Sequence, residues 1–105
     1  MSTKKVTFSL KDLEKKQGKI TFGRFLSSWR LSEEISQKTF AKMLGISPAN
    51  LCDIEKGRKG VSIFKATEIA KAIGYSPTML VQLALQEQME SSGLDYVVEV
   101  KTRAA

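Results

Sequence analysis

The polar and small side chains most suggestive of chemistry lie between Ser47 and Lys59, in Ser-Pro-Ala-Asn-Leu-Cys-Asp-Ile-Glu-Lys-Gly-Arg-Lys. Read as a helix, Leu51 and Ile54 are three apart and share its inner side. Pro48, Ala49, Asn50 and Asp53 are left pointing outward, all small or polar, on a face built to lie in a groove. A run of cations follows at Lys56, Arg58 and Lys59. This is the chemistry of recognition. The chain has no histidine, which removes the commonest general base and metal ligand. Its one cysteine, Cys52, can form no internal disulfide, and no zinc ligand set exists. No acid–base pair is evident, so an enzyme is not expected, and neither a cofactor nor a metal.

Positioning that face requires two helices joined by a tight turn. In the unit Gln37–Lys56, apolar residues fall at Phe40, Leu44, Ile46, Leu51 and Ile54. Phe40 and Leu44 are four apart on the first helix and face Leu51 and Ile54 on the second. Helices crossing at ~90–120° across a short turn must approach closely, and Ala41 is small enough to allow it. Gly45 can take the positive φ that ends the first helix. Ser36 caps that helix, and Ser47 caps the second with Pro48 at its first position. A plain helical hairpin would share some of these placements, but their joint register specifies a helix-turn-helix.

The surrounding elements follow the same logic. Thr21 caps a helix with Phe22, Phe25, Leu26 and Trp29 on one face, Trp29 being core. Ser62 opens a fourth helix carrying Phe64, Ile69, Ala70 and Ile73, ended by Gly74; Ser76-Pro77 opens a fifth with Leu80, Leu83, Ala84 and Met89. Ser91-Ser92-Gly93 breaks it. Leu94, Tyr96, Val98 and Val100 then alternate with Asp95, Val97, Glu99 and Lys101, a strand pattern with one apolar side. A lone strand is not stable, so it should pair with residues 6–10, with a second copy or with another protein. A two-fold dimer through Leu94, Tyr96, Val98 and Val100 is the simplest answer.

The chain of 105 residues has room for about one domain. Hydrophobic residues at 42% and charged residues at 27% are ordinary for a globular protein. No apolar run approaches the ~18 residues of a membrane span, and no signal-peptide pattern follows Met1, so a cytoplasmic protein without a membrane is expected. The net charge of +6 suits a polyanionic partner. Much of it lies in residues 1–20, where six lysines face Asp12 and Glu14; the remainder carries eleven basic and nine acidic residues. The expected organisation is a flexible basic segment at 1–20, a helix-turn-helix domain at 21–90, and a C-terminal strand and tail at 91–105. Val6, Phe8 and Leu10 give a weak strand signal, while Ser9–Asp12 reads equally as a helix cap.

Ile35-Ser36-Gln37 through Leu44-Gly45-Ile46-Ser47, then Ile54–Arg58, then Ile69–Ser76 resemble the XRE family of Cro- and phage-repressor-type helix-turn-helix proteins over about residues 22–82. The resemblance implies an all-α, compact five-helix bundle, matching the helices counted above, that binds double-stranded operator DNA as a dimer. It places Pro48, Ala49, Asn50 and Asp53 against base edges. Asn50 would pair with adenine, Ala49 would touch a thymine methyl, and Asp53 would accept from a cytosine amino group. Gln37, Lys38, Ser47, Lys56, Arg58, Lys59 and Lys65 take phosphate-contact positions, with Gln37 also bracing the recognition helix; such contacts set register and affinity. Arg30 and Glu55 match a structural ion pair of the family. Pro48, Ala49 and Asn50 depart from many relatives in offering no Arg, Gln or Lys, so direct readout is thin and shape readout contributes. Cys52 lies on neither the inner nor the DNA-facing side. Two functional readings stand: a plain transcriptional repressor, and a HigA-type antitoxin whose residues 1–20 fold onto a toxin. A protein-interaction module that kept the fold and lost DNA binding is the alternative of another class.

Overall fold

The computed structural model describes residues 20–103. They form five helices: α1 Phe22–Ser32, α2 Gln37–Leu44, α3 Pro48–Glu55, α4 Ile63–Ile73 and α5 Pro77–Ser91. The chain divides into two compact units between Lys59 and Gly60, the first holding α1 to α3 and the second α4, α5 and the C-terminal segment. The strand-or-helix question at residues 6–13 falls outside the described residues.

One local device starts each of these five helices. The hydroxyls of Thr21, Ser36, Ser47, Ser62 and Ser76 accept hydrogen bonds from the backbone N–H three residues on, at Arg24, Thr39, Asn50, Lys65 and Met79. Each satisfies a donor that the first helical turn leaves open, which stabilises by ~1 kcal/mol. Pro48 and Pro77 need no such partner at the first position.

In the first unit, Phe22, Phe25, Leu26 and Trp29 of α1, Phe40, Ala41 and Leu44 of α2, and Leu51 and Ile54 of α3 are buried. The Trp29 and Phe40 rings meet at 5.4 Å in a tilted pair. Gly23 permits a close approach of α1 to α3: a Cβ there would collide with the Ile54 carbonyl oxygen and lie 2.7 Å from that of Glu55. No methyl fits, and the obstacle is helix backbone, which cannot rotate aside. Glu34, after α1, takes φ 58°, a left-handed conformation that strains an L side chain.

In the second unit, α4 packs on α5 through alanines and larger aliphatic side chains. Ala66, Ile69 and Ala70 are buried on one side, Leu80 and Ala84 on the other. Ile63 and Phe64 remain exposed at the start of α4.

The C-terminal strand expected at Leu94–Lys101 is not formed, and no strand occurs among the described residues. A strand needs a backbone partner, and the segment meets side chains instead. Val98 N–H donates to Gln86 Oε1 at 2.7 Å and Val100 N–H to Gln82 Oε1 at 2.9 Å. Gln86 Nε2 returns a bond to the Tyr96 carbonyl at 2.8 Å. Four helical residues rise ~6 Å and two extended residues ~6.6 Å, so glutamines at i and i+4 match alternate residues of an extended chain.

The Gly23 contact yields a test. Gly23→Ala improves helix propensity yet forces α1 away from α3, and overpacking of this kind costs about 1–3 kcal/mol. Urea denaturation should show a net loss of stability, opposite in sign to the propensity gain.

Candidate nucleic-acid interface

The turn between α2 and α3 is closed by backbone geometry. Gly45 adopts φ 70° and ψ 31° and donates its N–H to the Lys42 carbonyl at 3.1 Å, while Ile46 N–H reaches the Ala41 carbonyl at 3.0 Å. The paired bonds are those of a Schellman ending. The chain then straightens at Ser47 and re-enters a helix at Pro48. Leu51 and Ile54 point into the unit. Pro48 and Ala49 are exposed, and Asn50, Cys52 and Asp53 are partly exposed.

The far end of α3 is tied to both other helices by one carboxylate. Arg30 Nε and Nη2 donate to Glu55 Oε2 and Oε1 at 2.8 and 3.1 Å, a bidentate fork. Gln37 Nε2, at the start of α2, donates to the same Oε1 at 3.0 Å. Arg30 Nη1 donates to the Ile35 carbonyl at 3.1 Å. The side chains are 13% and 4% exposed, so this is an ion pair away from water. Arg30, Glu55 and Gln37 are therefore brought together at one point. The Ile35 carbonyl completes it, and a backbone acceptor of this kind leaves no residue-type signal in a sequence.

A second pair lies on the outer side. Arg58 Nε donates to Asp53 Oδ1 at 3.0 Å, with both side chains about half exposed. The backbone N–H groups of Arg58 and Lys59 both donate to the Asp53 carbonyl, at 2.8 and 3.2 Å, folding the loop back over the end of α3. Arg58 Nη2 lies 3.9 Å from Cys52 Sγ. Two residues expected in different roles, base contact and phosphate contact, are thus partners of each other. The spacing of five across Gly57 is the only sequence sign of it.

Asn50 is capped through its N–H by Ser47 Oγ at 3.0 Å. Its side-chain Oδ1 is shut off from solvent and has no hydrogen-bond partner among the described residues. Such an orphaned acceptor costs about 1–3 kcal/mol. Bidentate reading of adenine needs this oxygen outward, so the Asn50 amide would have to turn.

Lys38, Lys56 and Lys59 stand exposed in the first unit, with no carboxylate in ion-pair range among the described residues. Lys65 belongs to the second unit, on the first turn of α4, 3.7 Å from Glu68. Leu94, Tyr96, Val98 and Val100 are also in the second unit; the first two are exposed and the valines half-buried. No group of histidine, cysteine or carboxylate side chains among the described residues is placed to hold a metal, and none of their helices is long and apolar enough to cross a membrane.

The sequence model of a family described as helix-turn-helix matches residues 26–80, just over half of the chain. Neither the curated proteins nor the solved structures gave a match.

Arg30→Ala should leave the buried Glu55 carboxylate uncompensated and cost about 3–5 kcal/mol in chemical denaturation. Adding Glu55→Gln to Arg30→Ala removes the stranded charge and should recover part of that loss. A double variant no more stable than Arg30→Ala would mean that the carboxylate is not the seat of the penalty.

Proposed function

Because the chain belongs to the helix-turn-helix family of the XRE type, a family of DNA-binding regulators, we propose that it is a sequence-specific transcriptional repressor that binds operator DNA as a dimer. The observation that carries this reading is the pairing of a braced α3 with an outward side of small and polar residues that stays wholly or partly exposed. In this reading α3 lies in the major groove with Pro48, Ala49, Asn50 and Asp53 toward base edges. Gln37, Lys38, Ser47, Lys56, Arg58, Lys59 and Lys65 serve phosphates, and Leu94, Tyr96, Val98 and Val100 serve the dimer. The antitoxin form of the reading adds a toxin bound by residues 1–20, of which 1–19 lie outside the described residues.

The Asp53–Arg58 pair fits this role in a specific way. A bare carboxylate beside phosphates repels them, and the guanidinium neutralises it while keeping N–H groups free for a phosphate oxygen. Turning the Asn50 amide outward would relieve its orphaned acceptor and supply both atoms that adenine requires.

The same two observations favour a second reading. With Asn50 Oδ1 turned in and Asp53 tied to Arg58, the most open part of the α3 face is Pro48 and Ala49. A protein-interaction module that keeps the fold would present such a surface. Salt separates the two readings, since each neutralised phosphate releases counterions.

Fluorescence anisotropy on duplex DNA should give an affinity that falls steeply with salt. Arg58→Ala and Lys59→Ala should each lower the slope of log K against log salt by about 1, across all sequences. An affinity indifferent to salt points to the protein-interaction module instead. Asp53→Ala frees Arg58 and deletes a negative charge, so it should tighten low-salt duplex binding several-fold while relaxing preference at one base pair; a competition assay with single-base operator variants reads both effects.

A further inference from the structure

The glutamine contacts use only one edge of the C-terminal segment. Val98 and Val100 give their N–H groups to α5, and Tyr96 accepts there, so the even-numbered residues face the helix. In an extended chain the odd-numbered residues then face the opposite way. Among the described residues, no hydrogen bond reaches the backbone N–H or carbonyl of Val97 or Glu99, and the Val97 side chain is 93% exposed. An extended segment with one edge engaged by a helix and the other bare is a template for a further strand.

We infer that this bare edge pairs with the same segment of a second copy, antiparallel, about a two-fold axis at Val98. The inference rests on the dimer reading above and adds its register. Opposed residues in an antiparallel pair alternate between hydrogen-bonded and non-hydrogen-bonded. With the axis at Val98, Val97 exchanges both bonds with Glu99 of the second copy, and Glu99 with Val97. Val98 faces Val98 in the non-hydrogen-bonded position, which is required because its own N–H is held by Gln86.

Charge selects this register from its neighbours. The axis at Val98 sets Asp95 opposite Lys101 of the second copy, twice by symmetry. On the other face it sets Tyr96 opposite Val100, an aromatic and β-branched pair of the kind that stabilises sheets. Moving the axis to Val97 opposes Asp95 to Glu99, and moving it to Glu99 opposes the two Glu99 carboxylates, both repulsive. Lys101 already lies 4.0 Å from Glu99 of its own segment, on the face it would share with Asp95 of the second copy.

The test uses the full chain in a Cys52→Ser background. Val98→Cys should form a disulfide-linked dimer under mild oxidation, because a non-hydrogen-bonded pair brings Cα atoms to ~4.5 Å, within disulfide range. Val97→Cys should not, since its counterpart lies on the diagonal at ~7–8 Å. In sedimentation equilibrium, Asp95→Lys and Lys101→Asp should each weaken the dimer roughly tenfold, and the two together should restore it. Restoration supports the register even if Val98→Cys folds poorly. A dimer that cross-links at residue 97 and not at 98, or that the double swap fails to restore, overturns the register and leaves the dimer reading intact. A chain that binds duplex DNA as a monomer at every concentration overturns both.

Discussion

The Glu55 carboxylate, at the end of α3, is almost wholly removed from water, and that placement organises the first unit. Taking an ion out of water costs several kcal/mol, so a compensating cation and further donors must be held against it. Arg30 and Gln37 provide them, from α1 and from the first residue of α2. Once the three groups meet, α3 can neither rotate about its axis nor slide along it without stranding a charge. Such a contact is worth more as an orienting device than as a source of stability, since an apolar trio of the same volume would bury well too. The backbone serves the same end. The left-handed turn at Glu34 precedes Ile35, whose carbonyl takes the third donor of Arg30, so local strain and the buried pair are coupled.

Gly23 and Ala41 play the steric part of this arrangement. Gly23 lets α1 lie directly against the last carbonyls of α3, and Ala41 is fully buried in α2. With the inner side of α3 fixed by shape and charge together, its outer side is released from any structural duty. That division explains why the outward residues are so modest. Stability does not call for large side chains there; Asp53 is engaged with Arg58, and the Asn50 acceptor is left unsatisfied until something else meets it.

The second unit shows a different solution to an unpaired backbone. Gln82 and Gln86 stand one turn apart on α5, and their amides supply the acceptors and donor that a neighbouring strand would supply. A side-chain amide carries the same donor and acceptor as a peptide group, so a helix can carry an extended segment without a sheet. This satisfies three backbone groups on the side toward α5 and leaves the opposite edge available for recognition by an identical edge.

Much of the scaffold was legible in the order of residues. Five hydroxyl caps, two first-position prolines, Gly45 and Gly74 are short-range signals, and a helix's start and stop depend on groups within four residues of one another. The 3.6-residue spacing of Phe40, Leu44, Leu51 and Ile54 likewise named the inner faces of α2 and α3. The period-2 pattern of Leu94–Lys101 described an extended chain but not what it lies against, because alternation records which side chains share a face and says nothing of where the N–H groups go. The partners of Glu55, the close contact at Gly23 and the glutamine tether join residues 10 to 32 positions apart. Those were decided only in three dimensions, since burial of a charge, or contact with a backbone carbonyl, exists only once distant segments have closed around it.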